Sequence, residues 1–360
     1  RRRGRGRLPG FCRNPGGTCT EEGYGHFRIS VNNFNQYFDN MSTYPIDAVV
    51  TWVDGNDPEH RRKRLSFEKG GELSLDDVAG DIRYVSIGEI NYCVASILRY
   101  APFVRNIYIV TDNQDPHLEN LVEQYFPGQY SRIHIVDHKV LYRGYEHFLP
   151  VFNSLSIETM MWRIPDLSEH FIYFNDDFML VRPTGPEDFF VGDKVVCYAN
   201  RMSIPFANLL QFLKPKRKGH KMLTFKHTMV RSAEVAGVGD YIYRLGHTPQ
   251  SMRVSILKDF FADHQELMEK NCSQRFRHID QFLPQELCFL LCRQRNELIL
   301  KPKKGNCLYL LPKGHRYMEN HLRKFRNSTK EKFCCINSLN YADEPDRNAV
   351  LDWLSERILG

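Results

Sequence analysis

The sequence predicts an α/β fold: a mostly parallel, Rossmann-like sheet with helices on both faces and a C-terminal helical elaboration. Three observations predict it. Runs of buried-strand character alternate with helical periodicity through the first half of the chain. The strand runs are rich in apolar, branched residues, as parallel strands covered by helices are. Each run ends in polar turn residues, and these ends carry Asp54, Asp112, Asp137 and the pair Asp176 and Asp177. Ligands of such sheets sit beyond the carboxyl ends of the strands.

The first strand is Ile46-Asp47-Ala48-Val49-Val50-Thr51, rich in branched residues and closed by Trp52-Val53-Asp54-Gly55-Asn56-Asp57-Pro58, a strong turn signal. Arg61 to Gly80 is polar and reads as a mobile loop. Ile90, Val94, Ile97 and Leu98 repeat at helical spacing until Pro102. Asn106 to Val110 is a second strand, Leu118 to Tyr125 a helix, Arg132 to Val136 a third strand. Ile157, Met160, Met161 and Ile164 mark another helix before the strand Phe171 to Phe174. Beyond about residue 200 the pattern loosens. Helices are expected over Phe206–Leu213, Ile256–Lys270 and Gln281–Arg293, and strands Cys307–Leu311 and Lys332–Ile336 are expected to return to the sheet. A last helix covers Asp346–Ile358.

Composition bounds the function. The chain of 360 residues is 42% hydrophobic and 26% charged, which suits a globular protein with a sizeable core. Its formal charge is +6, but Arg1, Arg2, Arg3, Arg5 and Arg7 supply five of the 49 basic residues against 43 acidic ones. The body is nearly neutral, so no nucleic-acid footprint is expected. The arginine-rich start reads as a solvated tail, with contact to anionic lipid or a polyanionic product as the alternative. Lys214 to Lys221 reads as an exposed basic loop. No apolar run is long enough to span a membrane, and no secretory leader is legible. Ten cysteines without Cys-x-x-Cys spacing fit a reduced, cytosolic set. Sequons at Asn40, Asn271 and Asn327 would matter only in a secretory compartment.

Four motifs could carry chemistry. Asn175-Asp176-Asp177 follows an apolar strand; adjacent carboxylates repel, and a divalent cation such as Mg²⁺ that also takes phosphate oxygens relieves the repulsion. The competing reading is a tight turn with a helix cap. Trp52 can stack on a base or sugar and Asp54 can accept from a hydroxyl, or the pair is a core indole and a turn. His247, in Gly246-His247-Thr248-Pro249, titrates in the range of a general base; a lone histidine is more often structural. Arg275 and Arg277 can grip phosphate in a fork, although surface arginines are common.

Taken in order, the motifs resemble the Stealth family, which includes bacterial capsular-polysaccharide phosphotransferases and the catalytic subunit of the animal N-acetylglucosamine-1-phosphotransferase. Four blocks carry the resemblance: Ile46 to Gly55; Asp81-Ile82-Arg83-Tyr84 through Ile107 to Gln114, Phe148 to Ser154 and Ile164 to Asp177; Gly246 to Pro249 with Arg275-Phe276-Arg277; and Phe333 to Ser338. The resemblance implies a GT-A-like sheet, a UDP-sugar donor, release of UMP and use of Mg²⁺ (or Mn²⁺). It places Asp177 as a catalytic carboxylate, His247 as the base and Arg277 on the pyrophosphate, and the acidic pair Asp176 and Asp177 is expected to hold the ion. Trp52, Asp54, Arg83 and Asn153 are placed around the donor. Arginines that many members carry in the helix of the second block are here Asn91 and Ala95, a departure that puts contacts from that helix in question.

The expected organisation is a flexible basic lead-in over 1–43, a nucleotide-sugar-binding core over 44–200, and acceptor-side or lid elements over 201–360 that complete the same domain. The expected reaction moves hexose- or N-acetylhexosamine-1-phosphate from a UDP-sugar to a glycan or polysaccharide hydroxyl in capsule synthesis, at the cytoplasmic face of a bacterial inner membrane with peripheral contact. The rivals are a metal-dependent glycosyltransferase that releases UDP and a non-catalytic nucleotide or carbohydrate binder. The oligomeric state is not legible.

Overall fold

In the computed structural model, which describes residues 44–68, 86–206, 209 and 225–360, Ile46–Thr51 forms β1. Ile46, Ala48, Val49 and Val50 are fully buried, and the stiff branched side chains fit a pleated surface. Asp57 accepts from the backbone N–H of Glu59 at 2.9 Å and starts α1 (Pro58–Glu68). This corrects the loop expected from Arg61 onward. The helix lacks an apolar stripe, and it is held by a proline at its first position, where no backbone donor is missed, and by the Arg64–Glu68 ion pair at 2.6 Å. Residues 69–85, the rest of the expected loop, lie outside the described residues, as do 1–43 and the basic run at 214–221.

The next elements are α2 (Glu89–Tyr100), β2 (Val104–Thr111), α3 (Glu119–Tyr125), β3 (Ile133–Asp137), α4 (His138–Leu141), α5 (Ser154–Met160) and β4 (His170–Asn175); all but the short α4 follow the sequence reading. Then come β5 (Phe178–Leu180), β6 (Phe190–Val191), β7 (Lys194–Ser203), α6 (Phe225–Val235), β8 (Tyr241–Leu245) and β9 (Gln250–Arg253). The chain ends with α7 (Val254–Asp263), α8 (Gln265–Cys272), α9 (Pro284–Gln294), β10 (Leu298–Lys301), β11 (Cys307–Leu310), α10 (His315–Asn327), β12 (Phe333–Ile336) and α11 (Glu344–Leu354). The single helix expected over Ile256–Lys270 is broken at His264, whose backbone leaves the helical region. Apart from Phe206 and Leu209, the helix expected over Phe206–Leu213 lies outside the described residues.

The main sheet has the order β3-β2-β1-β4-β9. The first four strands are parallel and β9 is antiparallel to β4. This is the mostly parallel α/β sheet that the alternating pattern predicts. β11 and β12 do not rejoin it: they form a separate three-stranded sheet with β5. The reason is the chain's path after β4. It turns sharply at Asp176 and Asp177 and leaves along β5, where α2 receives it; Ser96 Oγ accepts from Leu180 N at 2.9 Å. A second apolar cluster gathers here, where Met179, Cys334 and Ile336 meet Met318, Leu322 and Phe325 of α10 and Val350, Trp353 and Leu354 of α11.

The two ends of the main sheet are treated differently. At the amino end, buried Asp47 accepts from Arg105 Nε and Nη2 at 3.0 and 2.7 Å and from the N–H groups of Asn106 and Ser168. That carboxylate is fully satisfied and ties three strands' loops together. At the carboxyl end, Thr51 pairs with Val110 and Asn175, and Thr111 with Asp137, so four strands stop in register and their turns converge.

Asn271 is 2% exposed and its amide donates to Thr159 Oγ1 at 2.6 Å, so that sequon is closed to a glycan in the folded chain. Among the described residues no helix is long and apolar enough to cross a membrane, and all eight described cysteines are free thiols.

Candidate active site at the carboxyl edge of the sheet

The converging turns enclose a cleft of about 470 Å³. Trp52, Asp112 and His138 enter it from β1, β2 and β3, and Asn175, Asp176 and Asp177 from β4. Asn153 and Ser154 reach it from the start of α5, Arg277 from the segment between α8 and α9, Glu89 from the start of α2, and Asn337 and Ser338 from the end of β12.

The acidic pair sits where two sheets meet. The Asp177 carbonyl accepts from Ile336 N at 3.1 Å, which fixes the turn to β12. Asp177 Oδ2 faces Asn337 Nδ2 at 3.3 Å and the Cys335 thiol at 3.5 Å. Oδ1 is buried with no hydrogen-bond partner among the described residues. Burial raises the Asp177 pKa to about 6; donation from Cys335 and Asn337 opposes the rise and Glu89 adds to it. Asp176 is pushed well above the usual carboxylate range, first by burial, then by Asp177 and Glu89. Glu89 is itself raised by burial. Crowded carboxylates with an orphaned oxygen fit a hard cation that takes its remaining ligands from water and phosphate. They do not form a complete cage: among the described residues no three His, Cys, Asp or Glu side chains are arranged to hold a metal.

The other expected donor-side residues divide. Trp52 lines the cleft, 9% exposed, with its indole N–H unpartnered among the described residues. Asp54 does not line it; its Oδ1 accepts from Asn56 N at 2.9 Å, an Asx turn beyond β1. Arg83 lies outside the described residues. Asn153 is at the cleft wall, but its side chain works within the protein. Its Oδ1 caps α5 at Leu155 N, and its Nδ2 donates to Gln281 Oε1 at 2.6 Å and Phe276 O at 3.1 Å. Asn153 thus holds the loop that carries Arg277. Phe276, stacked on Phe152 at 5.5 Å, seats the same loop. Arg277 reaches the cleft and donates to Ser154 Oγ at 3.3 Å. From α2 only Glu89 lines the cleft; Ala95 is in the second core.

His247 is not among the cleft-lining residues. It is exposed in the β8–β9 turn, with its ring stacked on Tyr309 at 4.5 Å and 20°. Tyr309 pairs across the strands with Cys335, whose thiol meets Asp177. One ring and one strand therefore separate His247 from the acidic pair. The surrounding protein, and then the Lys303 ammonium, hold the imidazole below its ordinary pKa.

Residues 44–72 match Stealth protein CR1, conserved region 1, and residues 83–198 match Stealth protein CR2, conserved region 2. The chain belongs to the Stealth family. The matched regions hold Trp52, Asp54, Arg83, Asn153, Asp176 and Asp177, while His247 and Arg277 lie outside them. This Stealth protein is 33% identical over 236 residues to an exopolysaccharide phosphotransferase of Streptomyces coelicolor, covering 65% of this chain and 37% of that one. It is 40% identical over 147 residues to a capsular polysaccharide phosphotransferase of Haemophilus influenzae, covering 41% and 38%. Capsular polysaccharide phosphotransferase LcbA of Aeromonas hydrophila is 27% identical over 337 residues, covering 87% of this chain and 84% of the relative. The chain thus spans well under half the length of the first two relatives. Among solved structures, the galactosyltransferase LgtC aligns with 87% of this chain and 96% of its own at 10% identity, TM-score 0.43. The bifunctional glycosyltransferase WbbM aligns with 88% and 50%, also at 10% identity, TM-score 0.46. These likenesses are loose, and the fold rests on the strand order itself.

Of the residues the motifs single out, Trp52, Asn153, Asp176, Asp177 and Arg277 line the cleft. Glu89 and Asn337 line it too and Cys335 touches Asp177, and none of these was given a role from the sequence. Cys335 and Asn337 sat in a recognised block, but only the long-range contact with Asp177 gives them work.

Proposed function

We propose that this Stealth protein moves sugar-1-phosphate from a UDP-sugar to a carbohydrate hydroxyl, forming a phosphodiester and releasing UMP, as a step in capsule or exopolysaccharide synthesis. The observation that carries the reading is the cleft: an acidic pair with an unpartnered oxygen and a guanidinium converge beside an indole at the carboxyl edge of a parallel sheet. A diphosphate needs the first two together, and a base or sugar ring suits the third. The names of the polysaccharide phosphotransferases to which the chain is similar support the reaction class.

In this reading Arg277 grips the diphosphate, with its guanidinium aimed by Ser154 and its loop fixed by Asn153. Asp176 and Asp177 would hold Mg²⁺ or Mn²⁺, which when bound neutralises charge on the leaving nucleotide phosphate. His247 accepts the proton of the incoming hydroxyl. The hydroxyl oxygen bonds to the phosphorus next to the sugar while the bond from that phosphorus to the bridging oxygen breaks, and UMP leaves with the electron pair. Positioning and charge supply most of the rate. With His247 as the base, this reading sets the acceptor on the Tyr309 side of Asp177. The reading includes a cytoplasmic site of action with peripheral membrane contact.

The test is incubation with a panel of UDP-sugars, Mg²⁺ and carbohydrate acceptors, with nucleotide products resolved. UMP is expected. UDP would replace the reading with glycosyl transfer. Donor binding without turnover, unchanged in Asp177→Asn and His247→Ala, would make the protein a binding module.

A further inference from the structure

Behind the cleft lies a carboxyl group that the transfer above leaves unused. Glu158 on α5 is 4% exposed, and Tyr173 on β4 is 2% exposed. The Tyr173 hydroxyl lies 2.8 Å from Glu158 Oε1, 2.5 Å from Asn175 Oδ1 and 3.0 Å from Thr51 Oγ1. Asn175 lines the cleft next to Asp176.

A tyrosine hydroxyl gives one proton and receives through two lone pairs. Asn175 Oδ1 can only accept, so the Tyr173 proton belongs there. Thr51 then donates to the hydroxyl, and Glu158 Oε1 can share the same oxygen only by bringing a proton of its own. An ionised Glu158 would instead take the Tyr173 proton, and Asn175 would turn its NH₂ to the hydroxyl and its carbonyl to the cleft. The protonation of Glu158 and the face that Asn175 shows to a ligand are therefore one variable.

We propose that protonated Glu158 and Tyr173 are positioning residues that turn the Asn175 amide so that its NH₂ faces the cleft as a fixed donor to anionic oxygens of the bound nucleotide diphosphate. The inference rests on the nucleotide-sugar reading above. Its surroundings support it. Burial pushes the Glu158 pKa up, against Tyr173, Gln285, Arg277 and Ser154, which pull it down. Arg277 is the charged group facing Glu158, and Asp176 acts on Tyr173. No described residue reaches the buried Glu158 Oε2 with hydrogen-bond geometry, although Gln285 and Ser154 lie close enough to act on the carboxyl; such an oxygen is costly for a carboxylate and cheaper for the carbonyl oxygen of a neutral acid.

Two measurements test it. The first is calorimetric titration with UDP and Mg²⁺. Tyr173→Phe and Asn175→Ala should each weaken UDP by about ten-fold, the loss of one hydrogen bond to a charged group. Glu158→Gln, whose amide donates to Tyr173 at every pH, should bind like the wild type, while Glu158→Ala should not. Melting temperatures identify any variant that fails to fold. A Glu158→Gln variant as weak as Tyr173→Phe, or a folded Tyr173→Phe variant with unchanged affinity, overturns the proposal. The second measurement needs no nucleotide: ¹³C NMR of glutamate-labelled protein, with the Glu158 carboxyl assigned by its loss in Glu158→Gln. A protonated shift at neutral pH is expected, and an ionised one overturns the relay. Failure of the wild type to bind UDP would remove the transferase reading, while the carboxyl shift would still decide the relay.

Discussion

Asn337 donates its side-chain amide to Asp177 Oδ2 at 3.3 Å, across 160 positions of sequence. The bond occupies the oxygen that faces β12 and leaves Oδ1 as the free one. A partner that orients a metal-binding carboxylate commonly accounts for about 10-fold to 100-fold in metal affinity. Asn337→Ala should therefore raise the Mg²⁺ concentration needed for half-maximal UMP release about ten-fold at saturating donor, with little change in melting temperature. An unchanged Mg²⁺ requirement would reduce Asn337 to a turn residue.

Asp177 also makes stability depend on pH. Its folded pKa, about 6, lies above the ordinary aspartate value of about 4. A carboxyl raised on folding adds stability below its unfolded pKa and loses it as pH climbs through the folded value. Asp176 and Glu89 are shifted the same way. The melting temperature of metal-free protein should fall between about pH 4 and pH 6 more steeply than that of Asp177→Asn. Mg²⁺ at neutral pH should raise it in the wild type and much less in the variant. Equal slopes in differential scanning fluorimetry would count against the raised carboxyl.

The uneven legibility of this site has physical causes. β1, β2 and β4 were readable because burial demands nearly continuous apolar runs, β3 because its branched residues mark a strand even at the half-exposed sheet edge, and Asp176 and Asp177 stood out because they follow β4. α1 was not, since a helix held by its cap, Pro58 and the Arg64–Glu68 pair has no apolar stripe to betray it. The three-stranded sheet was hidden because β5 is three residues long and its partner is β12, far along the chain. Asn153 was readable as important but not for its actual work, which is capping α5 and holding the Arg277 loop. Glu158 looked like any polar helix residue until its burial against Tyr173 was known.

Arg277 offers a test of geometry rather than charge. Its guanidinium is steered by Ser154 Oγ at 3.3 Å, and a planar fork matches phosphate oxygens in a way that an ammonium does not. Arg277→Lys should raise the KM for donor and lower kcat/KM by about ten-fold or more, although the charge is kept. Ser154→Ala should produce a smaller change in the same direction. Steady-state kinetics with the best UDP-sugar checks both, and a Lys variant with wild-type constants would mean that Arg277 acts only as a point charge.

The amino end of the sheet should matter to stability and not to chemistry. Asp47 is fully buried and holds Arg105 together with two backbone N–H groups. Asp47→Ala strands all of these donors, which should cost about 3 kcal/mol. Arg105 is 44% exposed, and Arg105→Ala should cost less because water can reach the site. Urea denaturation measures both, and kcat of folded Asp47→Ala should remain near that of the wild type.

His247 is best judged by the pH dependence of turnover. A general base must be neutral to accept a proton, so the rate should climb with pH through the imidazole pKa and then level off. The protein packed around the ring, and then Lys303, hold that pKa below the ordinary value of about 6.5, so the acid limb should lie on the low side of 6.5 and the enzyme should already be on its plateau at neutral pH. Lys303→Gln removes the positive charge beside the ring and should move the limb upward without changing the plateau. His247→Ala should lower kcat by about 100-fold or more, within the usual range for a general base, and erase the limb. Tyr309→Leu, which removes the ring against which His247 is stacked at 4.5 Å, should lower kcat while leaving UDP affinity intact, because Tyr309 does not line the cleft wall. A limb that persists unchanged in His247→Ala would transfer the role of base to another group, and the nearest candidates on the cleft side are the raised carboxyls of Asp176 and Asp177.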